Sequence, residues 1–210
     1  MVNAYDKKLE FTDKPTEFYC CDNYHEALQL IGVDYKSDYT SIVKNSLSSA
    51  ENDQNLVVNG YFTPDFTEFD PHDLWHARLH KVIPVSIINK PVDEGTAFIN
   101  GGSWGLSWEE ILSRFKKYAA ANPNADWLAL YNESTNYDKG AKFPLNVDYT
   151  INALIVEKLE KEKGMDAVKE LLRCGRRVDG NENYFKALEK TTGITKADFN
   201  KKVWEMIKAH

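Results

Sequence analysis

The amino-acid sequence predicts an α+β fold, with a small sheet and the first helices in the N-terminal part and a helical C-terminal part. Three observations predict it. Residues 56–62 are dominated by β-branched and aromatic side chains, which favour a strand. Between residues 71 and 121, successive helical patterns each carry their own start and stop signals. From residue 148 onwards, apolar residues recur at helical spacing through most of the chain.

The composition is that of a globular protein. The chain has 210 residues, of which 42% are apolar and 28% charged, and it contains no run of about 18 apolar residues that would form a transmembrane helix. The net charge of −6 and the lack of a large basic cluster argue against nucleic-acid binding. We predict one domain over residues 1–210, with an N-terminal subdomain of about 1–100 and a helical C-terminal subdomain of about 101–210.

The cysteines and the first residues leave alternatives open. Cys20, Cys21 and Cys174 do not make a disulfide framework, because adjacent cysteines rarely bridge each other, but Cys174 can pair with either of the other two. The start of the chain has no apolar signal region. The sequence therefore fits either a cytoplasmic protein or the mature portion of an exported one.

The N-terminal part contains short predicted elements. Residues 1–15 are polar and are predicted to be loosely held. Residues 18–21 form a strand-like run and residues 25–31 have helical spacing. Residues 56–62 form the clearest strand.

Two helices with strong boundary signals follow. Asp70 can cap the first and Pro71 suits its first position, so residues 72–81 are predicted to be helical until Pro84 ends the helix. The second begins at Pro91, carries Glu94, Ala97 and Phe98, and ends at the glycine pair 101–102.

The remaining helices are also predicted from caps and periodicity. Ser107 and Glu110 form a capping-box pattern for a helix that runs to about Ala121. Residues 148–163 form the clearest amphipathic helix, which Gly164 ends. Further helices are predicted over residues 165–174, 182–191 and 196–209.

Two histidines, His72 and His76, stand four residues apart in the first of these helices and therefore share one face. Glu94 lies in the next helix, and residues 77–93 separate it from His76. Two imidazoles and a carboxylate can hold zinc and leave its fourth position to a water, whose pKa falls to about 7. Asp73, beside His72, is placed to accept a proton from that water as general base.

The same residues also have a plain interpretation. Paired histidines occur by chance in many helices, and His80 continues the series, so they can form a polar helix face without a metal. The segment around Glu94 favours the metal site. Its small residues Gly95 and Ala97 would permit close packing against the histidine helix.

Residues 72–76, 91–98 and 107–110, in this order and spacing, resemble the gluzincin clan of zinc metallopeptidases, in particular its small peptidase MA-like domains. Residues 149–172 and 185–204 are similar to the family's helix pair and terminal segment, so the resemblance covers most of residues 55–210. Residues 1–54 match the family only loosely, as the small β-containing N-terminal portion that the family is expected to have.

The resemblance implies a zincin-like fold and zinc-dependent hydrolysis of a peptide or protein substrate. It assigns His72, His76 and Glu94 as zinc ligands. Asp73 stands where the family has a catalytic glutamate, and its carboxylate is one methylene closer to the backbone. To reach a zinc-bound water it would need a shifted backbone or metal, or an intervening water. Family members are frequently exported, which implies an extracytoplasmic location.

Further candidates follow from the resemblance. Tyr149 is a candidate for stabilising the oxyanion, as a tyrosine often does in gluzincins, and a packing role is the alternative. Candidates for lining a substrate groove, or for covering the core, are Asn100, Trp104 and Trp108. Candidates for orienting a ligand histidine are Asp93 and Asp126.

Three functional hypotheses result. The first is a zinc metallopeptidase with its metal between the two motif helices and Asp73 as base. The second is a metallopeptidase-like domain that has lost catalysis and serves as a binding module. Aspartate at position 73 favours the second, whereas the complete ligand set favours the first. The third is a helical domain with incidental histidines.

Overall fold

The computed structural model describes residues 1–11, 17–20, 46–51, 56–61, 71–141 and 144–210. The chain divides into two compact units, Met1–Val82 and Ile83–His210. Our sequence analysis grouped the Glu94 helix with the histidine helix in one N-terminal subdomain that ends near residue 100. In the structure these two helices belong to different units.

The first unit contains a three-stranded sheet. Strand β1 (Glu17–Cys20) pairs in parallel with β3 (Leu56–Tyr61), and β2 (Ser46–Glu51) pairs antiparallel with β3, which gives the strand order β1-β3-β2. β1 and β3 confirm the two predicted strands. β2 was not predicted, because its sequence SLSSAE lacks β-branched and aromatic side chains.

Helix α1 (Val2–Leu9) occupies the segment that we predicted to be loosely held, so that prediction was wrong. Tyr5 and Leu9, four residues apart, are both buried. The ring of Tyr5 meets that of Trp75 edge-on, with centroids 5.1 Å apart. Two apolar positions in a polar segment are too weak a periodic signal to predict a helix from sequence.

Helix α2 (Pro71–Val82) is the predicted histidine helix. It packs against α1 and against strands β2 and β3. The buried Arg78 donates a hydrogen bond from Nε to Oδ1 of Asp6 at 2.6 Å, which ties α2 to α1. The predicted cap Asp70 and the predicted helix at residues 25–31 lie outside the described residues.

Among its described residues, the second unit is mainly helical and also contains a short hairpin. Its helices are α3 (Lys90–Gly101), α4 (Trp108–Ala121), α5 (Trp127–Asn132), α6 (Val147–Lys163), α7 (Met165–Leu172), α8 (Glu182–Thr192) and α9 (Phe199–Ala209), with 3-10 turns at Val85–Ile87 and Asp179–Asn181. Strands β4 (Asn136–Tyr137) and β5 (Leu145–Asn146) form the hairpin. These bounds confirm the predicted helices. α5 and the hairpin were not predicted, since they are too short to show periodicity.

Local capping signals account for the ends of α3 and α4. The side chain of Ser107 accepts a hydrogen bond from the Glu110 N–H at 3.3 Å, and the Glu110 carboxylate accepts one from the Ser107 N–H at 2.8 Å. This confirms the predicted capping box. Gly102, at a φ of 71°, ends α3 and donates its N–H to the carbonyl of Phe98 at 3.0 Å.

Helix α6 is the central helix of the second unit. The predicted helix is present, but it is not amphipathic from Thr150 to Val156, where every residue is buried. It packs against α3, α4, α5, α7 and α9. Its buried Asn152 donates to the hydroxyl of Tyr131 at 3.0 Å and accepts from that of Tyr184 at 2.9 Å. The polar side chain inside the core is thereby satisfied.

Helices α3 and α6 approach each other closely at Gly95. A Cβ on Gly95 would lie 2.7 Å from the backbone nitrogen of Ala153 and 2.8 Å from Cβ of Asn152. Our sequence analysis expected Gly95 to pack against the histidine helix, but its close neighbour is α6. The glycine therefore permits the central helix contact of the second unit.

None of the helices in the described parts of the chain is both long and apolar enough to cross a membrane. This finding agrees with the lack of a long apolar run in the sequence.

We expect Gly95→Ala to lower the free energy of unfolding by about 1–3 kcal/mol, because its methyl group would collide with backbone atoms that cannot move aside. Urea-induced unfolding measures this change. Gly140→Ala is the control, since Gly140 is exposed and a Cβ at this position would have no atom within 4 Å. A Gly95→Ala variant as stable as Gly140→Ala would contradict the close contact.

Candidate metal centre

Helix α2 brings two predicted ligands together in the first unit. The Nε2 atoms of His72 and His76 are 3.1 Å apart, and the ring centroids are 4.7 Å apart. Two nitrogens bound at 2.0–2.1 Å to one tetrahedral zinc ion are about 3.3 Å apart. The observed separation is therefore close to that of two ligands on one metal ion. It equally fits a hydrogen bond between neutral rings of complementary tautomers.

The histidine face of α2 is half-buried. Leu74, Trp75 and Leu79 of the same helix are buried and hold it in the first unit. His80 continues the face, with its ring centroid 5.4 Å from that of His76. This row of rings fits the predicted metal site and also the plain polar face that the sequence left open.

Helix α3 carries Glu94 in the second unit. Its start is anchored by Asn89, whose backbone N–H donates to the carbonyl of Leu172 at 2.8 Å and whose side-chain amide donates to that of Gly175 at 3.0 Å. Glu94 is half-buried and precedes Gly95, the residue in contact with α6. The backbone at Glu94 is therefore held from both sides.

Tyr149 lies on the first turn of α6, close to the helix that carries Glu94. Its ring meets the ring of Phe98 edge-on, with centroids 6.2 Å apart. Burial raises the pKa of Tyr149 well above its usual value, and the negative charge of Glu94 raises this pKa further. The phenol therefore stays neutral and able to donate a hydrogen bond. The structure thus groups Tyr149 with Glu94 in the second unit.

The other candidates have different surroundings. Trp108 is buried and its Nε1 donates to Oε1 of Glu157 at 3.3 Å, so it covers the core. Trp104 is half-buried at a φ of 53°, in the two-residue turn between Ser103 and Leu106. A positive φ is rare for a bulky side chain, so this turn is strained. Asn100 donates its amide to the carbonyl of Thr96 at 2.7 Å.

Of the two aspartates proposed to orient a histidine, Asp126 has another role. Its Oδ1 accepts from the N–H of Ala129 at 3.1 Å and from the side-chain amide of Asn200 at 3.0 Å, so it caps α5. Hydrogen bonds from Asn200 and from Ala129 lower the pKa of Asp126. Asp93 is buried in the first turn of α3 and remains the candidate.

Cys174 is half-buried and forms no disulfide with any side chain that the structure describes. Burial raises its pKa to about 11, so the thiol is protonated at neutral pH and is a poor nucleophile or metal ligand. Cys20 is described only through its backbone, and Cys21 lies outside the described residues.

Sequence reasoning missed a buried ion pair beside Tyr149. Oδ2 of Asp148 lies 2.9 Å from Nη1 of Arg177, and the Asp148 side chain is fully buried. Neither residue was among the candidate functional residues of our sequence analysis. No local spacing relates Arg177 to Asp148, so periodicity could not have found the pair.

No known protein-family pattern, curated protein or solved structure matches this chain. The resemblance to gluzincins therefore rests on the motif residues themselves.

We expect Tyr149 to stay protonated at about pH 10, where an exposed tyrosine is half ionised, because burial and the Glu94 charge both raise its pKa. Phenolate absorbance at this pH should be equal in the wild type and in Tyr149→Phe. Glu94→Gln should shift the ionisation of Tyr149 to lower pH, since it removes the negative charge. If phenolate absorbance at this pH were lower in Tyr149→Phe by the amount of one tyrosine, Tyr149 would be ionised in the wild type. That result would contradict its raised pKa.

Proposed function

We propose that the protein is a zinc-dependent metallopeptidase of the gluzincin type in which His72, His76 and Glu94 hold the metal. The observation that carries this proposal is the pair of histidine nitrogens 3.1 Å apart on a packed helix. In this proposal the Glu94 carboxylate is the third ligand, as the resemblance to gluzincins implies. When bound, zinc in such a set lowers the pKa of a water to about 7 and polarises a substrate carbonyl.

The histidines contribute fixed geometry. They stand on a helix whose opposite face is buried, so the spacing of their nitrogens is set before any metal arrives. Preorganisation of this kind lowers the entropic cost of binding. Glu94 contributes a negative charge, from a backbone position held by the Asn89 anchor and the Gly95 contact.

Asp73 serves as general base in this proposal. It lies in the first turn of α2, next to His72, and is half-buried. A general base contributes roughly 10²- to 10⁴-fold to a rate, and this contribution depends on reach. Because the aspartate side chain is one methylene short, we expect the peptidase to be slow.

Tyr149 stabilises the oxyanion in this proposal. Its phenol stays neutral, because burial and the Glu94 charge raise its pKa, and it can therefore donate a hydrogen bond to a developing negative oxygen. Removal of one such donor costs about 10²- to 10³-fold in kcat in other hydrolases.

The second candidate is a metallopeptidase-like binding domain that keeps the fold without turnover. The aspartate at position 73 favours it. In this case the metal would be held and the hydrolytic activity would be absent.

We expect about one zinc per chain after purification without chelators or a histidine tag, as in other single-zinc sites. Elemental analysis measures it. His76→Ala should lose the zinc, because two protein ligands hold zinc weakly. His210→Ala is the matched control, since His210 pairs with Glu157 at 3.0 Å and is not in the proposed ligand set. A chain that takes up no zinc, or that keeps it in His76→Ala, would refute the proposal.

We expect Asp73→Glu to raise the rate of hydrolysis of an unfolded protein by up to roughly 10²-fold, because the longer side chain restores the reach of the base. Asp73→Asn is the control and should abolish the residual activity. If Asp73→Glu binds zinc but gains no activity, the binding domain becomes the better conclusion.

A further inference from the structure

The carboxylate of Asp148 is buried in the first turn of α6. Its Oδ2 accepts hydrogen bonds from Oγ of Ser134 at 2.8 Å and from Nη1 of Arg177 at 2.9 Å. Its Oδ1 is buried and has no hydrogen-bond partner among the described residues. A buried charge with an unsatisfied oxygen is costly and contributes little net stability. A role beyond stability would account for its presence.

Arg177 connects this carboxylate to the end of α5. Its Nη2 donates to the carbonyls of Tyr131 and Asn132, at 2.6 and 2.8 Å, and its Nη1 also donates to Ser134. The last carbonyls of a helix lack helical partners and carry partial negative charge, which a guanidinium satisfies. Both terminal nitrogens of Arg177 donate hydrogen bonds within the protein. The side chain therefore has a structural role and does not bind a ligand.

The ion pair between Asp148 and Arg177 helps to hold the first turn of α6 in place. Its N-cap residue, Asn146, makes no side-chain capping bond. The turn is also tethered by the N–H of Val147, which donates to the carbonyl of Thr135 at 2.9 Å, and by the Thr150 hydroxyl, which lies 2.8 Å from that of Tyr137. These tethers run to residues 131–137, so this segment fixes the direction in which α6 begins.

We infer that Asp148 and Arg177 are positioning residues for Tyr149. Tyr149 follows Asp148 directly, so a first turn held by the ion pair keeps the phenol ring against Phe98, on the helix of Glu94. The catalytic consequence, a correctly placed hydrogen-bond donor for the oxyanion, rests on the proposed function. The structural statement does not need it.

The test is a nuclear magnetic resonance measurement on protein with labelled tyrosine and phenylalanine rings, in which Tyr149→Phe assigns the Tyr149 signal. In the wild type we expect a cross-peak between the rings of Tyr149 and Phe98. Arg177→Gln should lose this cross-peak or broaden the Tyr149 signal. Arg177→Lys should retain part of the cross-peak. Lysine keeps the positive charge but lacks the planar guanidinium that bonds to Asp148 and to the carbonyls of Tyr131 and Asn132 at the same time.

Arg114→Gln is the matched control. Arg114 also pairs with an aspartate in the second unit, Asp138 at 3.1 Å, but both side chains are exposed by more than a third. This variant should leave the Tyr149 signal unchanged. If Arg177→Gln fails to fold, Asp148→Asn gives the same test with a smaller change of shape. A folded variant of the pair that keeps the wild-type Tyr149–Phe98 cross-peak overturns the inference.

Zinc content and kinetics separate this inference from the proposed function. A wild type without zinc refutes the proposed function, while the ring cross-peak still decides the positioning role. If the wild type hydrolyses peptide, Arg177→Gln should lower kcat by about 10-fold or more at unchanged KM and zinc content. In a variant that already carries Tyr149→Phe, Arg177→Gln should lower kcat no further. Additive losses in the two variants would overturn the catalytic part of the inference.

Discussion

The second unit depends on a contact between two helix backbones at Gly95, where no side chain fits. Glu94 precedes this glycine on α3, and Tyr149 lies one turn before Ala153 on α6. Both candidate functional residues of the second unit therefore lie within one helical turn of this contact. Side chains at a packed helix crossing can be exchanged with modest adjustment, but a backbone contact cannot, so the geometry tolerates little variation.

Helix α6 is buried on nearly every side over much of its length, so its polar side chains lie inside the core. Asn152 bonds to the hydroxyls of Tyr131 and Tyr184, and the Asp148 carboxylate bonds to Ser134 and Arg177. The satisfied Asn152 network specifies one packing arrangement, since any shift would leave its buried groups without partners. In the first unit the corresponding constraint is simpler, because a buried apolar face holds α2 and leaves its histidines half-buried on the other side.

Local signals made much of this structure predictable. The Ser107 capping box and Gly102 at the end of α3 both act within four residues, and both predictions from them were confirmed. The histidine pair lies on the predicted helix, and the metal site inferred from it stays a prediction. The sequence could not reveal interactions between distant segments. The partners of Gly95 and of Arg177 are brought close only by packing of the helices. The burial of α6 on nearly all sides likewise depends on five neighbouring helices and not on its own pattern.

The most direct test of the account is X-ray absorption spectroscopy of the zinc-loaded protein at the zinc edge. We expect about two imidazole nitrogens and one or two oxygens at 2.0–2.1 Å, with no sulfur, because the proposed ligands are His72, His76 and Glu94. In the His76→Ala variant the imidazole contribution should fall. A sulfur ligand at about 2.3 Å, or a shell of oxygens without imidazole, would contradict the proposed site.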